Sequence, residues 1–201
     1  KLSKLADIIK DNIDINMMLA TLYEEKDDYK RGIDVLEKAL TNNPKNVELL
    51  YQTGVLYEKI GDTERALKYM EDVLEVDPEH ANALNFIGYS WADKEVNLDK
   101  AEEMIKKALE KKPDDGYIID SLGWVYFKRG EYEKALIEID KAYQKLPNDP
   151  TIAEHLGDVY AILKNYAKAK EHYERSIALE KDNEKKKIIK KKLIELEERH
   201  K

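Results

Sequence analysis

The sequence predicts an all-α fold, a solenoid of stacked helix–turn–helix units each close to 34 residues long, and three sets of spacings carry that reading. Gly54, Gly88, Gly123 and Gly157 stand 34, 35 and 34 residues apart. Tyr23, Tyr57, Trp91, Tyr126 and Tyr160 keep steps of 34, 34, 35 and 34, and Pro44, Pro78, Pro113 and Pro147 keep 34, 35 and 34. A second small-residue series, Gly32, Ala66, Ala101, Ala135 and Ala169, runs in phase with them. In a solenoid each unit packs only on its neighbours, so the 201 residues are expected to share one continuous core.

The spacings divide the chain into five helix pairs, residues 13–46, 47–80, 81–115, 116–149 and 150–183. Ahead of them, residues 1–12 place Leu2, Leu5, Ala6 and Ile9 at i, i+3, i+4 and i+7, and read as the second helix of a truncated earlier unit. The first pair carries Tyr23 and Pro44 but exchanges its small residues, Ala20 and Gly32, so a looser helix crossing is expected there. In the second pair Gly54 and Ala66 mark the crossing, and Gly61 ends the first helix as a C-cap.

The third pair shows the pattern most fully. Leu84, Ile87, Gly88 and Trp91 recur at helical spacing, and Ala101, Ile105 and Ala108 do so on a second helix. Gly88 and Ala101 lie where two axes would cross, and a side chain beyond a methyl there would push the helices apart. Pro113 ends the second helix, because it has no amide hydrogen to donate and restricts the residue before it. Trp91 is still 34 residues after Tyr57, whereas Ala101 is already 35 after Ala66. One inserted residue therefore lies between them, in the turn formed by residues 94–99.

The fourth pair carries Gly123, Tyr126, a C-cap at Gly130, Ala135 and Pro147. The fifth carries Gly157, Tyr160 and Ala169, with Asn165 in a turn role like that of the C-cap glycines. From 184 to 201, Ile188, Ile189, Leu193 and Leu196 form an apolar stripe on a helix rich in Lys and Glu, expected to cap the last unit with a polar outer side. The lysine triplets 185–187 and 190–192 also suit an anionic surface, but Glu195, Glu197 and Glu198 dilute the charge.

These markers resemble the tetratricopeptide repeat (TPR), and the resemblance covers residues 13–183. It implies a right-handed superhelical solenoid of about five TPR pairs. Departures are few: Ile119 and Ala153 replace a common early aromatic, and Lys181 replaces the last proline. The stretches LNFIGYSWAD (84–93), IIDSLGWVYFKRGEYEKA (118–135) and EHLGDVY (154–160) are similar to bacterial multi-repeat TPR proteins, several of them envelope lipoproteins or their soluble relatives. That similarity implies a bacterial protein of the cytoplasm or of the periplasmic side of the envelope.

Composition narrows the function classes. Hydrophobic residues make up 42% and charged residues 38%, enough for a core under a heavily ionised surface. Net charge is −7, and residues 180–201 carry about +3, leaving about −10 on the rest. Such an acidic body argues against nucleic acid, which needs a basic stripe. Without cysteine there are neither disulfides nor thiolate metal sites. No apolar stretch approaches the roughly 18–20 residues of a membrane span. Beginning at Lys1 with no signal-like segment, the chain reads as a fragment of a longer protein.

Chemistry finds little support. His155 and Asp158 are three apart on one helix with Glu154 beside them, a possible metal pair, but a site usually needs three or four ligands. The alternative is a hydrogen-bonded histidine at a helix interface. Ser121 stands next to Asp120, yet no strand-to-helix elbow is predicted there and no histidine falls in that unit. The glycines never cluster into a phosphate cradle. The expectation is a non-catalytic protein with no cofactor and no metal.

The TPR resemblance implies that the first helix of each pair lines a concave groove. By helical phase that face carries Tyr51, Val55, Asn82, Asn85, Tyr89, Tyr117, Asp120, Trp124 and Phe127, with Glu24, Glu48, Glu154 and Asp158 toward the ends. Rigid aromatics offer contact area at low entropic cost, and Asn can satisfy a peptide's donor and acceptor together. These residues are the candidate peptide-binding set, with Tyr89, Tyr117 and Trp124 expected to be partly exposed in one patch. The competing reading packs Trp124 and Phe127 between neighbouring first helices. TPR domains that grip acidic chaperone tails use Lys, Arg and Asn on this face; here the matching positions hold Met17, Thr21, Gln52, Asn82 and Phe86, which disfavours carboxylate tails. The expected partner is a protein segment, apolar or aromatic with neutral or basic flanks. Alternatives are self-association into a scaffold and service as an accessory region of a larger enzyme.

Overall fold

Residues 12–199 are described by a computed structural model, and among them are eleven α-helices and no strand. The helices are α1 (Ile13–Glu24), α2 (Tyr29–Asn42), α3 (Val47–Lys59), α4 (Thr63–Val76), α5 (Ala81–Asp93) and α6 (Leu98–Lys111), then α7 (Gly116–Lys128), α8 (Tyr132–Lys145), α9 (Pro150–Ile162), α10 (Tyr166–Leu179) and α11 (Asn183–Arg199). The helix expected over residues 1–12 falls on residues 1–11, outside those described, and on Asn12, which caps α1. The chain divides into two compact units between Ile87 and Gly88, inside α5.

Capping residues repeat as regularly as the packing residues. Asn12, Asn46, Asp115 and Asp149 each accept a hydrogen bond from an amide in the first turn of the helix that follows, at 2.9–3.3 Å. Each bond satisfies one of the donors that a helix N-terminus leaves open. His80 occupies the same register, and its Nδ1 accepts from the Ala83 amide at 3.2 Å.

The short turns within pairs also share one mechanism. Asp27, Gly61, Gly130 and Lys164 take left-handed backbone angles, with φ between 56° and 78°. The next residue in each, Asp28, Asp62, Glu131 or Asn165, donates its amide to the carbonyl of Tyr23, Tyr57, Tyr126 or Tyr160 at 2.8–2.9 Å and opens the following helix. Asn165 therefore does not stand in for a C-cap glycine as expected. Lys164 holds the left-handed position, and Asn165, with φ −89°, is the N-cap of α10.

In the long turn the two duties are split. Glu95 is left-handed, the Val96 amide reaches the Trp91 carbonyl at 2.9 Å, and Asn97 opens α6. That division is the physical content of the inserted residue.

Small residues permit close helix approach where the spacing places them. A Cβ on Gly54 would lie 3.3 Å from the Ala66 carbonyl oxygen and 2.9 Å from Met70 Cε. On Gly88 it would lie 3.0 Å from the Ala101 carbonyl and 2.6 Å from Ile105. In the first pair the corresponding gap, from Gly32 to the Ala20 carbonyl, is 3.6 Å, an ordinary contact. Gly157 instead makes room for the Tyr173 ring.

Leu36, Leu49, Leu56 and Met70 are fully buried in the first unit, and Ile105, Ile139, Ile152, Leu156 and Ile189 in the second. Each such side chain contributes about 1.5–3 kcal/mol relative to exposure. On α11, Ile189 and Leu196 are buried and Leu193 packs beside them, but Ile188 is 58% exposed. The apolar stripe is thus Ile189, Leu193 and Leu196, at i, i+4 and i+7, and Ile188 lies about 100° around the helix from it. No helix among the described residues is long and apolar enough to cross a membrane.

Candidate functional site

In the first unit Tyr51 and Val55 project from α3 and Asn82 and Asn85 from α5, all half-buried. Tyr51 lies against the His80 ring, with centroids 5.1 Å apart and planes tilted by 46°. Asn85 buries its Oδ1 with no hydrogen-bond partner. A buried acceptor left open in this way costs about 1–3 kcal/mol.

In the second unit the side chains gather around a histidine. Along α7, Asp120, Trp124 and Phe127 fall at i, i+4 and i+7, one stripe of a helix. Across from them on α9, His155 directs Nδ1 at both oxygens of Asp120, at 2.9 and 3.1 Å. Its ring stacks on Trp124, with centroids 3.9 Å apart and planes 13° from parallel, and Phe127 stacks on the same indole at 4.8 Å and 6°. Tyr89 on α5 approaches the imidazole at 6.5 Å. The indole Nε1 points to Asp93 at 3.4 Å, and Lys128 Nζ lies 5.1 Å from the Trp124 ring while bonding Glu95 at 3.1 Å.

The sequence places Trp124 and Asp120 on an open face, and the structure corrects their exposure. Trp124 is 7% exposed and Asp120 5%, because α9 packs on both. Tyr89 and Phe127 are half-buried and carry the accessible part of the cluster. Tyr117 is 56% exposed but belongs to the first turn of α7, about 10 Å along the axis from Trp124. Burial and the neighbouring Asp149 raise its phenol above the ordinary range. The single patch of Tyr89, Tyr117 and Trp124 is therefore replaced by a cluster of Tyr89, Trp124, Phe127 and His155.

Electrostatics also depart from the expected open acids. Lys192 of α11 bonds Glu154 at 2.6 Å and Asp158 at 2.7 Å, and Tyr173 donates to Asp158 at 2.7 Å. Burial opposes the Lys192 charge, but Asp158 and Glu154 outweigh it and hold the ammonium above its ordinary value. For His155, burial pulls its value down, yet Asp120, followed by Asp158 and Glu154, raises it above the ordinary 6.5. His155 pairs with Asp120 rather than forming a metal pair with Asp158, and no group of three metal-competent side chains occurs among the described residues. Asp93, on the rim, remains exposed.

The role of His155 was legible only as an alternative to metal binding. Its signal is an acid inside the apolar run 118–125, answered by a histidine 35 residues later, one unit and one residue on. A buried carboxylate requires a partner, and the repeat spacing says where one would stand.

Comparison with known proteins agrees with this architecture. Family models described as tetratricopeptide repeat match residues 13–46 and 35–68, and one described as a tetratricopeptide repeat-like domain matches residues 61–198. The chain is 28% identical over 123 residues to a TPR repeat-containing protein of Pseudomonas aeruginosa; the match covers 61% of this chain and 21% of that protein, so the chain spans about a fifth of the relative's length. Among solved structures, it superposes with a TM-score of 0.72 on PilW, a type IV pilus biogenesis factor, at 18% identity and covering 83% of this chain and 76% of that one. A tetratricopeptide repeat protein of Parabacteroides merdae gives 0.72 at 22% identity, covering 90% and 70%. A TPR protein of Thermus thermophilus gives 0.70 at 19%, covering 90% and 96%. These structural likenesses speak for the fold, and the domain match over residues 61–198, joined to the repeated crossings and turns, establishes that the chain belongs to the tetratricopeptide repeat family.

Proposed function

We propose that the protein is a non-catalytic interaction module whose first-helix face holds a segment of a protein partner. The family supports a protein–protein interaction or scaffold role in general, and its members are generally non-catalytic. The finer reading rests on one observation, the aromatic cluster of Tyr89, Trp124 and Phe127 beside exposed Asp93. Tyr89 and Phe127 offer half-exposed rings backed by a buried indole, so contact area is presented without ordering loose side chains. Asp93 at the rim favours a basic flank and steers its approach. The segment that fits is an apolar or aromatic anchor with Lys or Arg nearby. In the first unit the half-buried Tyr51, Val55, Asn82 and Asn85 form a separate candidate surface.

A displayed library of unstructured segments, sorted on the protein and on a Tyr89→Ala/Phe127→Ala control, tests this. The expected result is enrichment of aromatic–basic segments on the parent, lost on the control. Equal enrichment on both would remove the second-unit face from the binding surface. Residence of a second copy of the chain on the same face, the alternative, would show in light scattering as a mass that rises with concentration.

A further inference from the structure

The Asp120–His155 pair is built unlike the other polar contacts of the second unit. Both side chains are buried, at 5% and 4% exposure, and the carboxylate meets Nδ1 with both oxygens, where a surface pair would be solvated. The imidazole is also the floor on which the Trp124 indole lies, at 3.9 Å and nearly parallel. One protonation site therefore touches the joint between α7 and α9 and the aromatic cluster together. We propose that Asp120 and His155 form a protonation latch that holds Trp124 in place, so that the aromatic face of the second unit is set by pH. This rests on the binding reading above only for its consequence to a partner; the latch itself is a property of the chain alone.

The groups around the latch determine which state is tight. With His155 charged, Nδ1–H donates to Asp120 and the two charges offset each other in a dry interface. Loss of the Nε2 proton leaves the hydrogen bond but strips Asp120 of its counter-charge. Among the described residues the nearby cations are already engaged: Lys192 on α11 by Glu154 and Asp158, and Lys128 over Trp124 and on Glu95. On α9 itself Glu154 and Asp158 favour the charged imidazole, as Asp120 does from α7. From α5, Tyr89 faces the ring and Asp93 meets the indole nitrogen; from α10, Tyr173 meets Asp158. The uncompensated carboxylate then draws water between α7 and α9, and Trp124 loses its backing.

The test uses the full chain with Trp91→Phe, which leaves Trp124 as the only indole, and follows its emission against pH with no partner present. The latch predicts a transition centred above the ordinary histidine value of 6.5, in a chain that stays helical throughout. His155→Gln, which keeps a donor toward Asp120, should abolish the transition, and Asp120→Asn should move it to lower pH. Emission that is flat with pH in the parent, or a transition that survives His155→Gln, overturns the latch. Should His155→Gln fail to fold, nitrogen-15 NMR of the parent decides: the His155 imidazole and the Trp124 Nε1 resonance must titrate together, and separate midpoints overturn the idea. The library sort against Tyr89→Ala/Phe127→Ala is blind to this transition, so failure of the latch and failure of the binding face are read separately.

Discussion

Replacing Trp124 by alanine measures whether the indole belongs to the core or to the surface. At 7% exposure it is packed between Phe127 of its own helix and the His155 ring of α9. Truncation of a buried aromatic costs about 3–5 kcal/mol, through lost burial plus the cavity left behind. Here the cavity would also open the Asp120–His155 pair to water, and stacked aromatic pairs add about 0.5–1.5 kcal/mol beyond area. A loss near 4 kcal/mol is therefore expected for Trp124→Ala, against about 1–2 kcal/mol for Tyr89→Ala or Phe127→Ala, whose rings are only half-buried. Urea unfolding followed by circular dichroism at 222 nm, a wavelength at which helix dominates, reads all three. A cost below about 1 kcal/mol for Trp124→Ala would refute the packing argument and return the indole to the proposed binding face.

Three further outcomes follow from the same packing. Ala135→Leu should cost about 1–3 kcal/mol by overpacking, since Ala135 is fully buried with its carbonyl against Gly123; a neutral urea midpoint would mean the crossing register is wrong. Removal of residues 183–201 should uncover the surface under Ile189 and Leu196 and strand Glu154 and Asp158 without Lys192, so the truncated chain should associate or unfold at lower urea; a monomer with an unchanged midpoint would show that α11 is not a cap. His172→Phe should be neutral or stabilising, because His172 buries an unpartnered Nδ1 between Tyr143 and Tyr160, and a chain destabilised by more than about 1 kcal/mol would show that this nitrogen has a partner.

The buried His155 and the half-buried His172 should oppose each other in the pH dependence of stability. His155 is held above its ordinary value, so its contribution is complete below about 6.5 and fades as pH rises through the higher folded value. Burial holds His172 below its ordinary value, so its contribution is complete above about 6.5 and fades as pH falls through the lower folded one. Unfolding free energy measured across neutral pH should then flatten on the alkaline side in His155→Gln and on the acid side in His172→Phe. The reverse assignment of the two limbs would contradict both environments.

How much of this is legible in the sequence depends on whether a feature repeats. Gly54, Gly88 and Gly123 sit against the carbonyls of Ala66, Ala101 and Ala135 because every unit must solve the same crossing, and period alone exposes them. The inserted residue was equally visible, since two marker series disagree by one across the same turn. The capping register of Asn12, Asn46, His80, Asp115 and Asp149 also repeats, but polar residues there look like ordinary loop, and His80 hides among them. What escapes is what happens once. The Asp120–His155 pair, the Lys192 bridge and the exposure of Trp124 depend on which side chain one unit offers to the next, and helical phase gives the direction of a side chain without its neighbour.

That contrast bears on how a repeat protein acquires specificity. Residues at the crossings are interchangeable between units and serve stacking, so they cannot distinguish one partner from another. Several of the unrepeated polar contacts reach from a first helix to its neighbour along the array: Gln52 of α3 to Glu24 of α1 at 2.9 Å in the first unit, and in the second Asp120 of α7 to His155 of α9 and Lys192 of the capping helix α11 to Glu154 of α9. Each fixes a first helix, against the next one or against the capping helix, by a charge or a hydrogen bond rather than by apolar contact. Such a bond tolerates little slip, whereas aliphatic packing tolerates several side-chain arrangements. If the first helices hold a partner as proposed, the face offered to it is aligned by the same residues that make it distinctive, and substituting any of them should change recognition and helix register together.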